Sequence, residues 1–234
     1  MQLFYNPNIS NSDTTFSFNK DESRHIVKVL RKKVGDTLFI TNGNGWLFEA
    51  VLISAEHKNC IVNIKTQQLQ KKRDFNLHLA VAPTKMNDRY EWFLEKATEI
   101  GIEEITPIIC DNSERKTVKL ERFERIIQSA MKQSLQCYLP KLNAPLTFHE
   151  FVNMQRSGQK FIAHCEDSNK KSLKSELNVN QDCTLLIGPE GDFNVKEIEI
   201  ALQQNYIPVT LGETRLRTET AAIAACHSVA ILNE

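Results

Sequence analysis

The chain has 234 residues, of which 41% are hydrophobic and 25% charged, and its 29 Lys/Arg balance its 29 Asp/Glu. Such a composition excludes a disordered chain, and no apolar run approaches the ~18 residues that a membrane span requires. Met1–Ser10 has no basic stretch followed by an apolar one, so no secretory signal is read and the expected location is the cytoplasm.

The balanced charge hides an asymmetry. Residues 1–73 hold 11 Lys/Arg against 6 Asp/Glu, whereas residues 74–234 hold 18 against 23. A basic first segment is the kind of surface that meets a polyanion. Six cysteines (Cys60, Cys110, Cys137, Cys165, Cys183, Cys226) stand singly, and the histidines show no metal-ligand spacing. They read as small buried side chains, and no metal is expected.

From the N-terminus, residues 1–67 read as β-rich. Asp21–Arg31 is predicted as a short helix. Thr37–Thr41, Leu47–Ser54 and Cys60–Lys65 are strand-like, rich in Val, Ile and Phe. Asn42-Gly43-Asn44-Gly45 joins two of them with residues that tolerate positive φ, a hairpin signal. Small β-barrels are assembled from such parts. Arg24, Lys28, Arg31 and Lys32 recur at helical spacing and read either as a solvated charged face or as a basic ridge for nucleic acid, which the charge asymmetry favours. The polar stretch Thr66–Asp74 has no periodicity and reads as a connection. The predicted domains are 1–67 and 75–234, with a linker at 68–74.

From Phe75 onward strands alternate with helices. Strands are predicted at Phe75–Ala82, Ile105–Cys110, Phe161–Ala163, Thr184–Ile187 and Ile207–Leu211. Helices are predicted at Met86–Ile100, with Gly101 closing it, and at Val118–Cys137, Val195–Gln204 and Thr218–Leu232. The last is apolar nearly all round and is expected to be buried. Alternation of this kind specifies an α/β domain with a mostly parallel sheet.

Three of these strands run into unusual loops. Phe161–Ala163 leads to His164-Cys165-Glu166, Thr184–Ile187 to Gly188-Pro189-Glu190-Gly191-Asp192-Phe193, and Ile207–Leu211 to a loop from Gly212 to Thr220. Ligands of parallel sheets bind outside the carboxyl ends of strands, and glycine there permits close backbone approach. Thr218 is placed to cap the last helix, with Arg215 and Arg217 beside it for an anionic or polar partner. Neither the dinucleotide glycine fingerprint nor the P-loop pattern occurs, and no GxSxG supports a hydrolase.

Ile187-Gly188-Pro189-Glu190-Gly191, Leu211-Gly212 and Leu216-Arg217-Thr218-Glu219-Thr220-Ala221 together resemble the ordered motifs of the SPOUT superfamily of trefoil-knotted methyltransferases. More narrowly, the chain resembles the bacterial 16S rRNA uracil-N3 methyltransferases. Lys85 with Glu91, Lys96–Gly101 and Ile105-Thr106-Pro107 extend the likeness upstream, as do His25, Val29-Leu30-Arg31 and Gly35-Asp36 in the first domain. Two departures stand out: Gly191-Asp192 where the family commonly has Gly-Gly, and Ser129–Gln136, where Ser129, Lys132 and Gln136 replace the usual acid and arginine pattern.

The resemblance implies a PUA-like N-terminal barrel, a knotted C-terminal α/β domain and a homodimer. It implies S-adenosylmethionine as cofactor and a uridine of 16S rRNA, within the small ribosomal subunit, as target. The residues expected to hold the cofactor are His164, Leu186, Ile187, Gly188, Pro189, Glu190, Gly191, Leu211, Gly212, Leu216, Arg217 and Thr218. Arg217 and Glu219 are the expected catalytic residues. The competing readings are a related knotted enzyme acting on tRNA or a ribose 2′-OH, a non-catalytic RNA-binding module, and a dehydrogenase, against which the absent glycine fingerprint counts.

Overall fold

The structure, a computed structural model, describes residues 1–166 and 169–234. The chain divides into two compact units, Met1–Lys72 with Met131–Leu139, and Arg73–Ala130 with Pro140–Glu234.

In the first unit, β1 (Leu3–Tyr5), β2 (Thr15–Ser17), β3 (Thr37–Thr41), β4 (Trp46–Glu56) and β5 (Asn59–Leu69) form one sheet in the order β1-β3-β4-β5-β2. Only β1 and β3 pair in parallel. Among the described residues β1 and β2 are the two edges, so the small barrel is open on that side. Alternation along β4 sends Phe48, Ala50 and Leu52 into a core shared with Phe4, Ile26, Ile40 and Val62. β5 continues past the predicted Lys65 into the polar stretch read as a connection, because cross-strand pairing with β4 supports residues that lack strand-like composition.

The predicted helix Asp21–Arg31 is shorter and irregular. α1 (Lys20–Arg24) starts from Asn19, whose side chain accepts from Glu22 N–H. A π-helical turn, His25–Val29, follows, and Leu30 N–H reaches back to His25 C=O at 3.0 Å. Arg31 then adopts φ 54°, which ends the helix. The segment Met131–Leu139 returns to this unit at the hairpin turn. Gly45 N–H donates to Cys137 C=O, Leu139 N–H to Gly43 C=O, and Tyr138 Oη to Gln70 C=O. Gly45 has φ 93°, and a Cβ there would lie 2.3 Å from the Tyr138 ring, so only glycine admits the contact.

The second unit contains β6 (Leu77–Val81), α2 (Asn87–Ile100), β7 (Glu104–Ile109), α3 (Leu120–Gln133, its last turn belonging to the first unit), β8 (Lys141–Leu142), β9 (Leu146–Thr147) and α4 (Phe148–Val152). Then come β10 (Gln159–Ala163), β11 (Lys171–Ser172), α5 (Leu173–Glu176), β12 (Cys183–Ile187), α6 (Val195–Gln203), β13 (Ile207–Thr210) and α7 (Thr218–Leu232). The sheet order is β11-β13-β10-β12-β6-β7-β8, with β9 also on β7, and every described pair is parallel. β6 and β12 lie in the interior of the order and are buried at every position, as strands covered on both faces must be.

α2 ends at Gly101, φ 103°, as its spacing predicts. The predicted helix Val118–Cys137 stops at Gln133, since Leu135 turns the chain with φ 59°. α7 has the predicted bounds but is covered on one side only. Ala222, Ala225, Cys226 and Val229 are buried, whereas His227 and Ile231 are exposed and Ile223 and Ala224 half-buried.

Candidate cofactor and substrate site

The three loops singled out in the sequence converge because β10 lies between β12 and β13, all running in one direction. Their carboxyl ends therefore open side by side. Between them is a cavity of about 270 Å³. Ala163 and Cys165 contribute from the end of β10. Ile187, Gly188, Pro189, Glu190 and Asp192 contribute from the end of β12. Arg215, Leu216, Arg217, Thr218 and Ala221 complete it from the last loop and the first turn of α7. Apolar walls (Ile187, Pro189, Leu216, Ala221) thus meet two arginines and two carboxylates.

Side chains tie the loops together. Thr218 is the first residue of α7, and Arg217 occupies the cap position without a side-chain cap bond. The predicted capping by Thr218 is thus corrected: its hydroxyl instead donates to Gly188 C=O at 3.0 Å and pins the helix start to the β12 loop. Glu190 Oε1 accepts from Lys85 N–H at 2.9 Å, while its Oε2 is buried without a partner.

Asp192 has φ 64°, a conformation that aspartate tolerates better than most residues, and this explains how it stands at a position where glycine is common in the resembled family. Its Oδ2 accepts from Cys165 N–H at 2.6 Å and its Oδ1 from Phe193 N–H at 2.9 Å. Asn112 Nδ2 donates to the Gly191 and Asp192 carbonyls. Glu197, buried in a capping box with Asn194, accepts from Asp111 N–H at 3.0 Å. The β12 loop is therefore held from three sides before any ligand arrives.

Of the predicted cofactor residues, Ile187, Gly188, Pro189, Glu190, Leu216, Arg217 and Thr218 line the cavity. His164, Leu186, Gly191, Leu211 and Gly212 do not. Leu186 is a buried core residue of β12. His164 is 8% exposed, both its ring nitrogens lack a hydrogen-bond partner among the described residues, and burial first, then Lys170, lowers its pKa. Gly212, φ 148°, has open space where a Cβ would stand. Glu219 points inward, its Oε1 3.8 Å from Arg89 Nε and its Oε2 unpartnered. Sequence reasoning did not select Ala163, Cys165, Asp192, Arg215 or Ala221 as cofactor residues. Asp192 carried a signal, an acid beside Gly191 in a glycine-bearing strand end.

The RNA ridge predicted in the first unit is not one helical face. Arg24 lies on α1, Lys28 in the π-helical turn, and Arg31 beyond it in the left-handed region. Arg24, Lys28 and Arg31 are exposed and Lys32 is half-buried. The widened turn changes the angular step between residues, so regular α spacing does not apply.

A cavity at the carboxyl ends of parallel strands, closed by a helix N-terminus and accompanied by a small β-rich unit, defines a ligand-binding α/β protein with an accessory domain. Comparison with known proteins narrows this class. Residues 71–230 match the RNA methyltransferase domain, and residues 18–65 match the RNA methyltransferase PUA domain. A curated relative from Buchnera aphidicola, ribosomal RNA small subunit methyltransferase E, is 33% identical, the match covering 90% of this chain and 85% of that one. A crystal structure from Porphyromonas gingivalis, described as a probable rRNA-methyltransferase, is 40% identical with a TM-score of 0.92, over 100% of this chain and 98% of the other. The Neisseria gonorrhoeae ribosomal RNA small subunit methyltransferase E bound to S-adenosyl methionine is 26% identical with a TM-score of 0.89, over 100% and 98% of the two chains. The chain belongs to the RNA methyltransferase family, with a PUA domain preceding the methyltransferase domain.

Proposed function

We propose that this chain methylates N3 of a uridine in small-subunit ribosomal RNA, with S-adenosylmethionine as the methyl donor. The observation that carries the reading is the convergence of the Ile187–Asp192 loop and the start of α7 on one cavity, in a chain of this family. The residues fit the cofactor: an apolar wall suits the adenine, and the unpartnered Oε2 of Glu190 suits a hydroxyl or amino donor. The N-terminus of α7, a 15-residue helix, favours a carboxylate. When bound, S-adenosylmethionine supplies an activated methyl group, so the protein's task is placement and electrostatics.

Arg217, on the cavity wall, is placed to stabilise the negative charge that develops on uracil as N3 loses its proton. Glu219, 6% exposed at the start of α7 and not on the cavity wall, is proposed as a proton acceptor that substrate binding must first expose. Arg24, Lys28, Arg31 and Lys32 are proposed to contact RNA phosphates individually rather than as a ridge. The uncovered side of α7, with His227 and Ile231 exposed and Ile223 and Ala224 half-buried, is proposed as the interface of a homodimer whose second domain is knotted. The reading places the enzyme in the cytoplasm.

The test is to map the modified nucleotide after incubating the full chain with S-adenosylmethionine and small-subunit RNA, using mass spectrometry. An N3-methyluridine is expected. A methyl group on a ribose oxygen, or none on RNA, would overturn the assignment. Arg217→Ala should lower turnover by about 100-fold on saturating RNA, the order seen when a charge-stabilising group is removed, while cofactor affinity changes less. Turnover within twofold of the parent would exclude Arg217 from the chemistry.

A further inference from the structure

A second cavity, about 510 Å³, opens in the methyltransferase unit near the amino end of β10. It is lined by Arg156 and Lys160 and otherwise by neutral residues of segment 153–157 and Gln204. Lys160 lies near the start of β10 and Ala163 at its end, so the two cavities are separated by roughly 10 Å along that strand.

Both cations are held in place by neutral groups. The Arg156 guanidinium lies 4.4 Å from the centre of the Phe151 ring, and its Nη1 donates to His78 Nδ1 at 2.7 Å. A guanidinium can only donate, so His78 Nδ1 accepts and carries no proton, which makes the ring neutral; its Nε2 lies 2.8 Å from Thr106 Oγ1. Nη2 lies 3.8 Å from the Met154 sulfur, and among the described residues Nε has no hydrogen-bond partner. Lys160 Nζ donates to Gln204 C=O at 2.5 Å and lies 5.3 Å from the centre of the Tyr206 ring. Tyr206 is 2% exposed, and its hydroxyl is a buried donor with no partner. Among the described residues, none of the contacts of either cation is with a carboxylate. Glu104, 3.7 Å from His78 Nδ1, is itself engaged by Lys141 and Asn143.

We propose that this cavity is a phosphate site that grips the RNA backbone away from the reacting base. A planar guanidinium with free N–H groups, an ammonium with donors to spare and surrounding amides match the oxygens of a phosphate group. A half-buried arginine stacked on a ring is oriented before binding, so little order is lost on contact. The chemistry is shared by an RNA phosphodiester and by free inorganic phosphate. RNA is taken as the occupant because the family's substrate is RNA, and the inference rests on the proposed function to that extent.

The experiment uses the full chain, with Lys160→Gln and Arg156→Gln/Lys160→Gln. Binding of a single-stranded rRNA fragment is measured across a salt series, inorganic phosphate is titrated by phosphorus NMR, and S-adenosylmethionine affinity is measured by calorimetry. The slope of log affinity against log salt should fall by roughly 0.7 for each cation removed. Phosphate line broadening should be lost in the double variant, and cofactor affinity should be unchanged in both. An unchanged slope with Lys160→Gln overturns the RNA assignment even if phosphate binds, since the site then serves free phosphate. No phosphate binding together with an unchanged slope overturns the site altogether. Failure of cofactor binding in the parent chain would instead count against the proposed function. Arg156 packs on Phe151, so Lys160→Gln, altered at a strand start, keeps the test valid if the double variant does not fold.

Discussion

The carboxylate of Asp192 accepts a hydrogen bond from the backbone N–H of Cys165 across 2.6 Å, joining two loops that are 27 residues apart in the chain. Both residues line the cavity at the carboxyl ends of β10 and β12. A charged acceptor on a backbone donor is among the stronger hydrogen bonds, about 1.5–3 kcal/mol. The bond sets the width of the cavity before a ligand enters.

Asp192→Ala should therefore weaken binding of S-adenosylmethionine by about tenfold or more, since it removes the bond and leaves a non-glycine residue at φ 64°. Asp192→Gly should relieve the backbone cost but not restore the bond. Calorimetry on the three proteins orders them: parent tightest, then glycine, then alanine. Equal affinities would mean that the loops hold their spacing without this contact.

Gly212 separates a ligand effect from a folding effect. Its φ is 148°, and apart from the glycine and its two chain neighbours no atom of the described residues lies within 4 Å of a Cβ built there. Gly212→Val should thus cost on the order of 1 kcal/mol in stability through its backbone alone. Cofactor affinity should fall much further if the backbone of this loop closes on the ligand. Melting curves and calorimetry read the two effects separately. Unaltered affinity would remove Gly212 from the site and leave Arg215–Thr218 as this loop's contribution.

His78 predicts a pH dependence. Burial, the largest cause, pushes its pKa down to about 4, with Arg156 and Lys141 acting in the same direction against Glu104. The unfolded chain binds this proton near pH 6.5 and the folded chain only near pH 4. The stability it contributes is complete above about pH 6.5 and is lost as pH falls toward 4. Urea unfolding of the parent should show that loss, with a slope of up to about 1.4 kcal/mol per pH unit across this window. His78→Gln, which keeps a polar group but does not titrate there, should show a flatter profile in the same window. Parallel profiles would place the acid sensitivity elsewhere.

Ile231 is 54% exposed on a helix whose composition is apolar nearly all round. A charged residue there, Ile231→Glu, should shift light-scattering mass from dimer toward monomer at micromolar concentration, because the apolar row would carry a charge into the interface. The parent chain should run as a dimer. A monomeric parent would leave the α7 row without a partner and remove the proposed interface.

What was legible in the sequence follows from the range of each signal. α2 and α7 were bounded closely because helical periodicity, Gly101 and the apolar run are local. The interior strands β6 and β12 were visible because strands covered on both faces are apolar throughout. The edge strands β1, β2, β8, β9 and β11 have two or three residues each, too few to show a period, and exist only through their pairing. The helix near Arg24 read as regular because its residues have ordinary propensities. The π-helical turn and the φ of Arg31 accompany the burial of Ile26 in the core of the first unit.

The sequence by itself determined the alternation of strands and helices, the presence of two glycine-bearing strand ends, and the polar start of an apolar helix. These depend on neighbours within a few positions, so composition and spacing record them. Only the tertiary structure decided that β10 inserts between β12 and β13, which brings Cys165 to Asp192 and Gly188 to Thr218. It alone put Glu219 against Arg89, set Gly212 outside the cavity, and left Arg156 stacked on Phe151 without a counter-charge among its contacts. Each of these depends on strand order and long-range packing, and pairing between strands distant in the chain leaves no periodic trace along it.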